Sequence, residues 1–123
     1  MEKRENSILV VDDEKLIRWS LTKALEEDGW NVVSAESGEE ALEKARQIPF
    51  HVVITDLRLP GMDGIDLLSE LKKINPDCHI LVISAYGTPQ LAAEAKRRGA
   101  FDLIDKPLKM NTMKKMVKNM LVA

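Results

Sequence analysis

The chain has 123 residues, of which 45% are hydrophobic and 31% are charged, so it has the size and composition of one globular domain with its own core. Its 18 basic and 20 acidic side chains give a net charge of −2, which offers no basic surplus for binding nucleic acid. The single cysteine, Cys78, excludes an internal disulfide, and no apolar run approaches the roughly 20 residues of a membrane span, so we expect a soluble cytoplasmic protein without membrane contact.

Short apolar runs rich in Val, Ile and Leu recur along the chain and predict five strands. These runs are Ser7–Val11, Asn31–Ala35, His51–Thr55, His79–Ile83 and Phe101–Ile104. After each of them, apolar residues recur at helical spacing and predict a helix. The fourth predicted helix begins with Thr88 and Pro89 and has a thin apolar face, so we expect it to be the most weakly held. The last helix carries an apolar stripe that we interpret as core packing: Met113, Met116, Val117, Met120 and Leu121.

The strict alternation of strands and helices predicts an α/β fold, a doubly wound parallel sheet with helices on both faces, in a single domain spanning residues 1–123. In a five-stranded sheet of this kind the winding changes direction beside the first strand. Sites are built there, outside the carboxyl ends of the strands. The ends of the first and third predicted strands should therefore be neighbours.

Carboxylates follow these two strands. Asp12 and Asp13 come directly after the first strand, and Asp56 ends the third. Two unit charges ~4 Å apart repel by ~4 kcal/mol at an effective dielectric constant near 20, so such a cluster needs a cation, and oxygen ligands favour Mg²⁺. An alternative for Asp13 is to cap the first helix, as Asp63 would cap the third. No such cap role is evident for Asp12 or Asp56.

A hydroxyl and an ammonium group reach the same edge of the predicted sheet. Ser84 ends the fourth strand, and Lys106 follows the fifth strand immediately before Pro107. A nucleophilic carboxylate, a metal, a hydroxyl donor and a lysine are the groups that phosphoryl transfer requires. We therefore predict that Asp56 attacks a phosphoryl group while Ser84 and Lys106 bind its oxygens.

Together these motifs resemble the receiver domain of two-component response regulators. The motifs are Asp12-Asp13, the run Asp56-Leu-Arg-Leu-Pro-Gly-Met-Asp-Gly64, Ser84-Ala85 and Lys106-Pro107, and they follow the family's order and spacing over nearly the whole chain. The resemblance implies a flavodoxin-like (βα)5 fold with strand order 2-1-3-4-5.

The resemblance also implies the roles of the acidic residues. Asp56 would accept a phosphoryl group from the phosphohistidine of a sensor histidine kinase, with Mg²⁺ as the required cofactor. Asp13 and Asp56 would bind the metal directly and Asp12 largely through water. The backbone carbonyl of Arg58 would be a further ligand.

By the same resemblance, Ser84 and Lys106 would contact the acyl phosphate, and its arrival would change the face formed by the fourth helix, fifth strand and fifth helix. The chain departs from the family at Leu103, where an aromatic switch residue is usual. Tyr86 is a candidate to replace part of that role. Arg58 and Tyr86 flank the phosphoryl site in the family, and because both are bulky they should hinder water. We therefore expect a comparatively long-lived acyl phosphate.

The resemblance implies a signalling switch rather than a conventional enzyme, although one that promotes its own phosphoryl transfer and slow dephosphorylation. It implies a cognate histidine kinase as partner. It leaves open a homodimer through the face just named and a C-terminal output domain absent from this chain. The run Gly99-Ala-Phe-Asp102 is similar to receivers of transcriptional activators, but we expect no direct binding of nucleic acid by this domain.

Other function classes remain as alternatives. A degenerate receiver would act only as a binding module. A haloacid-dehalogenase-type phosphohydrolase also uses a strand-end aspartate, but it needs a second acid two residues later, where this chain has Arg58. A flavin-binding module would need a Ser/Thr/Gly-rich loop after the first strand, which this sequence lacks.

Overall fold

The structure is a computed structural model that describes residues 7–121. Residues 1–6 and 122–123 of the predicted domain lie outside the described residues. The main elements are β1 (Ser7–Val11), α1 (Lys15–Glu27), β2 (Asn31–Ala35), α2 (Gly38–Gln47), β3 (Val52–Asp56), α3 (Gly64–Ile74), β4 (His79–Ser84), α4 (Pro89–Arg97), β5 (Asp102–Asp105) and α5 (Met110–Leu121). A short antiparallel hairpin of Arg58–Leu59 and Met62–Asp63 lies between β3 and α3.

The five main strands form one parallel sheet in the order β2-β1-β3-β4-β5. This confirms the predicted doubly wound fold and its strand order. The chain therefore changes its direction of winding between β1 and β3, and the carboxyl ends of these two strands are neighbours. The predicted site lies at this edge.

The core has two layers because alternate residues of each buried strand face opposite sides of the sheet. On β1, Leu9 and Val11 pack with α2, α3 and α4, while Ile8 and Val10 pack with α1 and α5. The methionine stripe of α5 joins the second layer. Met113, Val117 and Met120 are buried there, whereas Leu121 is 41% exposed, so the core interpretation was wrong for that last residue.

The strands extend further toward the site than the apolar runs predict. The third strand is Val52–Asp56 rather than His51–Thr55, and the fifth is Asp102–Asp105 rather than Phe101–Ile104. Apolar runs report side-chain burial, whereas backbone pairing continues through the polar residues at the strand ends, as in the pairing of Asp56 with Ile83. The prediction that Asp56 ends the third strand is confirmed.

The helices begin and end largely where their caps predict. Thr88 caps α4 by accepting a hydrogen bond from the amide of Leu91, and Asp63 caps α3 by accepting one from Ile65. The thin apolar face of α4 is confirmed, because Ala95 is its one buried residue. Of the helices within residues 7–121, none is long and apolar enough to cross a bilayer.

Candidate functional site

Four strands deliver the predicted site residues to one edge of the sheet. Asp12 follows β1, Asp56 ends β3, Ser84 ends β4 and Lys106 follows β5. The register sets these ends side by side, since Val11 pairs with Thr55 and Ser84 pairs with Asp105. The structure therefore brings together the groups that the sequence predicted to converge.

The ammonium group of Lys106 lies at the centre of the site. Its Nζ is 2.6 Å from Oδ2 of Asp56, 3.1 Å from Oδ2 of Asp12 and 3.4 Å from Oε1 of Glu14. Asp12 is fully buried, and the side chains of Asp56 and Lys106 are 7% and 13% exposed. The carboxylates thus have an internal cation. The ammonium group of Lys106 offsets part of the repulsion between the carboxylates. From the sequence, that repulsion was expected to require a metal ion.

Burial and charge oppose each other in this cluster. Burial alone would lower the pKa of Lys106, but the hydrogen bonds and negative charges of Asp56 and Asp12 raise the pKa above its usual range. Burial raises the pKa of Asp12, against the opposing effects of a hydrogen bond from the Glu14 amide and of Lys106. The ion pairs keep Lys106 charged at neutral pH.

The oxygen donors at this edge are few, which limits how a divalent cation could be held. Within residues 7–121, no group of three His, Cys, Asp or Glu side chains is arranged to hold a metal. A cation here would therefore be held by fewer carboxylates, completed by a carbonyl oxygen and water. Oδ2 of Asp12 is buried and has no hydrogen-bond partner in the described part of the chain apart from its ion pair with Lys106, and Asp13 is exposed beside it. These oxygen donors fit Mg²⁺, which keeps several of its waters in protein sites.

The segment after β3 is held tightly against Asp56. Oδ1 of Asp56 accepts a hydrogen bond from the amide of Arg58 at 2.9 Å. The hairpin then turns at Pro60 and Gly61, whose positive φ of 78° suits the third position of a type II turn. At Gly64, a Cβ would lie 2.4 Å from the Cα of Leu57, so a larger residue would force the loop apart. These contacts position the backbone of Arg58 beside the carboxylate.

Ser84 and two flanking side chains complete the edge. The hydroxyl oxygen of Ser84 accepts a hydrogen bond from the amide of Tyr86 at 3.2 Å, which leaves its proton able to bond a ligand. The guanidinium of Arg58 lies over the ring of Tyr86, 4.4 Å from its centroid. Tyr86 is 66% exposed, so its ring lies on the solvent side of the site.

Leu103, in place of an aromatic residue, packs partly buried against the core layer of α2, α3 and α4. The loop after β4 lies close to it. A Cβ on Gly87 would be 3.0 Å from a methyl group of Leu103 and 2.6 Å from Oδ1 of Asp105. The candidate role of Tyr86 as a replacement for the switch residue stays a prediction.

Two residues of the site were missed by sequence reasoning. Glu14 pairs with Lys106, and Arg18 donates a hydrogen bond to the carbonyl oxygen of Asp12 at 2.8 Å. The cap alternative for Asp13 is wrong, because α1 begins at Lys15 with Glu14 at the N-cap position. A basic residue one turn after an acidic turn was the available signal for Arg18, and it is common on solvated helix faces.

Known proteins resemble this chain over most of its length. The family model for the response regulator receiver domain matches residues 8–118. The transcriptional regulatory protein ZraR of Escherichia coli K12 is 41% identical over 106 residues, which cover 86% of this chain and 24% of ZraR. This chain thus spans about a quarter of the length of the curated relatives it matches.

Solved structures give the same result. A response regulator from Burkholderia pseudomallei, with a phosphorylated aspartic acid, a calcium ion and citrate, matches with 30% identity and a TM-score of 0.84, covering 88% of this chain and 64% of that one. The beryllofluoride-activated NtrC4 receiver domain dimer matches with 31% identity and a TM-score of 0.89, covering 94% and 95%.

Proposed function

The chain belongs to the response regulator receiver family, and on that premise we propose that Asp56 is the residue that accepts the phosphoryl group. The supporting observation is the position of its carboxylate, which is buried at the end of β3 with Oδ2 2.6 Å from the ammonium of Lys106. A carboxylate beside a positive charge at a strand end is placed to act as a nucleophile. The domain is a phosphorylation-activated switch and not a conventional enzyme.

In the proposed transfer, an oxygen of Asp56 forms a bond to phosphorus while the bond from phosphorus to the imidazole nitrogen of a kinase phosphohistidine breaks. The released imidazole keeps the electron pair of that bond and takes up a proton. Lys106 moves from the carboxylates toward the phosphoryl oxygens, and the hydroxyl of Ser84 donates to one of them. Asp12, Asp13, Asp56 and the carbonyl oxygen of Arg58 would hold Mg²⁺, which when bound would neutralise charge on those oxygens.

The output we propose is a change in the face formed by α4, β5 and α5. Ala95 is the one buried residue of α4, so this helix has little apolar contact to resist a shift. The NtrC4 receiver dimer supports a homodimer as one form of the activated domain. The relation to ZraR supports an output domain that regulates transcription in the whole protein.

The alternatives are less well supported. In a haloacid-dehalogenase-type phosphohydrolase, the position of Arg58 would hold a proton donor, but here a guanidinium stacks on Tyr86. A degenerate receiver would lack one of the groups that bind the phosphoryl oxygens. Asp56, Lys106 and Ser84 are all present at the same edge of the sheet.

Mass spectrometry of the intact protein tests the proposal. The chain is incubated with acetyl phosphate and Mg²⁺, and we expect it to gain one phosphoryl group. The Asp56→Asn variant and a sample containing a metal chelator should gain none. A wild-type chain that folds, binds Mg²⁺ and still gains no phosphoryl group would instead support the degenerate receiver.

A further inference from the structure

The turn between β1 and α1 carries two of the acidic residues of the site, yet α1 begins without a side-chain cap. Glu14 occupies the N-cap position, and its side chain makes no cap hydrogen bond. By contrast, side chains cap α2, α3 and α4, and these are Ser37, Asp63 and Thr88. The start of α1, and with it the acidic turn, must be held in place by other bonds.

Arg18 forms bonds to both ends of this turn. Its guanidinium Nη1 donates to the carbonyl oxygen of Asp12 at 2.8 Å, and its backbone N–H donates to the carbonyl oxygen of Glu14 at 3.1 Å. Asp13 lies between these two carbonyl groups in the chain. A guanidinium that donates to a carbonyl forms a charge-assisted hydrogen bond, which is stronger than a bond between neutral groups. Arg18 thus closes the turn around Asp13 from within the helix.

The other bonds of Asp12 explain why this one matters. Its N–H donates to the carbonyl of Ala35 at 3.2 Å, and its Oδ1 accepts from the amide of Glu14 at 2.9 Å. In both bonds the other residue, Ala35 or Glu14, contributes a backbone group. Substitution of its side chain would therefore leave the bond in place. The bond from Arg18 restrains the carbonyl at the point where the chain leaves the sheet. Of these three hydrogen bonds, it is the one that a substitution of the partner residue removes.

We propose that Arg18 is a positioning residue for the divalent cation of the site, because it holds the backbone of the acidic turn in the conformation that directs Asp13 to the metal. This inference rests on the proposed function, which assumes a cation at Asp12 and Asp13. Some residues orient a metal ligand without binding the metal themselves. Removing such a residue typically lowers the affinity for the metal about tenfold or more.

The charge of Arg18 and its hydrogen bonds should affect the affinity for Mg²⁺ in opposite directions. Whether the affinity rises or falls on removal of Arg18 therefore distinguishes the two roles. A positive charge beside carboxylates repels a cation, so if charge were its only role, removal of Arg18 would tighten Mg²⁺ binding. If Arg18 acts as a positioning residue, its removal weakens Mg²⁺ binding despite the loss of a repelling charge.

Calorimetric titration of the full chain with Mg²⁺ measures that sign. We expect Arg18→Met to raise the Kd for Mg²⁺ about tenfold and Arg18→Lys to raise it less, because the ammonium can still donate one bond. The matched control is Lys15→Met, which removes an exposed positive charge from the first residue of α1, and its Kd should be unchanged or lower. Thermal unfolding with chelator present verifies that each variant folds.

The outcomes separate the inference from the proposed function. A wild-type chain that binds no Mg²⁺ would overturn the metal site and this inference with it. A wild-type chain that binds Mg²⁺, with Arg18→Met binding equally or more tightly, would overturn the positioning role alone. If Arg18→Met does not fold, Arg18→Gln replaces it under the same criteria.

Discussion

The carboxyl edge and the amino edge of the sheet both carry titratable side chains, but the two edges hold these side chains by different interactions. At the carboxyl edge, Lys106 forms ion pairs with the buried side chains of Asp12 and Asp56. At the amino edge, His51 directly precedes β3 and His79 begins β4, and their ring centroids are 6.0 Å apart. The first edge depends on charges that neutralise one another, and the second on the packing of rings.

Four rings lie at the amino edge, three directly before a strand and one at the start of a strand: Trp30 before β2, His51 before β3, Phe101 before β5, and His79 at the start of β4. The ring centroids of Trp30 and His51 are 6.5 Å apart. Those of Phe101 and His79 are 6.3 Å apart, in an edge-to-face arrangement. Burial lowers the pKa of His79, and the nearby His51 and Lys72 add to that effect, whereas Asp77 opposes it. These surroundings favour the neutral imidazole of His79, and the rings stabilise the sheet by packing rather than by paired charges.

The largest effect is expected on removing the internal cation. Lys106→Met would leave two buried carboxylates facing each other, and removing one partner of a buried ion pair costs about 3 kcal/mol or more in the free energy of unfolding. Urea unfolding with chelator present measures this loss, and added Mg²⁺ should restore part of it by binding the folded state.

The control for that variant is Lys114→Met, which removes a partly exposed lysine that pairs with Glu27 and Asp28 at 3.4 and 3.5 Å. Such surface pairs contribute at most about 1 kcal/mol. Equal losses in the two lysine variants would show that Lys106 does not balance buried charge.

A smaller effect of opposite sign is expected at Asp12. Its pKa in the folded state is raised by burial above the ordinary value of 3.8, so the folded protein loses stability as pH rises through that raised pKa. Asn cannot ionise and avoids this loss. With chelator present at pH 7, the free energy of unfolding of Asp12→Asn should therefore be about 1 kcal/mol higher than that of wild type. Such gains are common where a residue serves function at a cost in stability.

The advantage of Asp12→Asn should disappear below pH 3.8, where the carboxyl is protonated in both states. The exposed neighbour supplies the control, since Asp13→Asn should change the free energy of unfolding by less than about 0.5 kcal/mol. An Asp12→Asn variant that is less stable than wild type at pH 7 would mean that the charge at the carboxyl edge stabilises the fold.

The stack of Arg58 on Tyr86 should slow the loss of the phosphoryl group from Asp56. An exposed cation–π pair contributes about 0.5–1 kcal/mol, so Arg58→Ala or Tyr86→Ala should shorten the half-time of hydrolysis about twofold to fivefold. The half-time is followed by mass spectrometry after removal of acetyl phosphate.

A double variant distinguishes the stack from two separate effects. Because either substitution already breaks the pair, Arg58→Ala with Tyr86→Ala should hydrolyse no faster than the quicker single variant. Tyr86→Phe keeps the ring and should keep the wild-type half-time. A double variant as long-lived as wild type would contradict a protective role.

The smallest effect is expected from the amino edge. Because the pKa of folded His79 is lowered from 6.5, the unfolded state takes up the proton first as pH falls. Stability present above pH 6.5 should then be lost as pH falls toward the folded pKa. Between pH 7.5 and 5.5, His79→Phe should lose less free energy of unfolding than wild type, by under about 1 kcal/mol. An identical loss in both proteins would contradict this assignment.

Sequence patterns predicted the fold and the residues at the site because both follow from strand order. Alternating strands and helices define which strand ends meet, and Asp56, Ser84 and Lys106 each stand at such an end. The internal ion pairs of Lys106 could not be read in this way, because the pattern says which elements meet but not which side chains bond. The same limit hid the hydrogen bond from Arg18 to Asp12.

The hairpin after Asp56 was missed for a different reason. Its two strands have two residues each, too few for any periodicity, and Pro60 and Gly61 indicate only a turn. The turn positions Arg58, whose side chain then reaches Tyr86 from another loop. Short pairings and contacts between loops depend on the assembled fold.

The most direct test identifies the residue that carries the phosphoryl group. The protein is treated with acetyl phosphate and Mg²⁺ and then reduced with borohydride, which converts an aspartyl phosphate to homoserine, and the peptides are sequenced by mass spectrometry. We predict homoserine at position 56 and at no other aspartate. Homoserine at position 12 or 13, or a phosphoryl group on Ser84, would contradict the assignment of Asp56 as the acceptor.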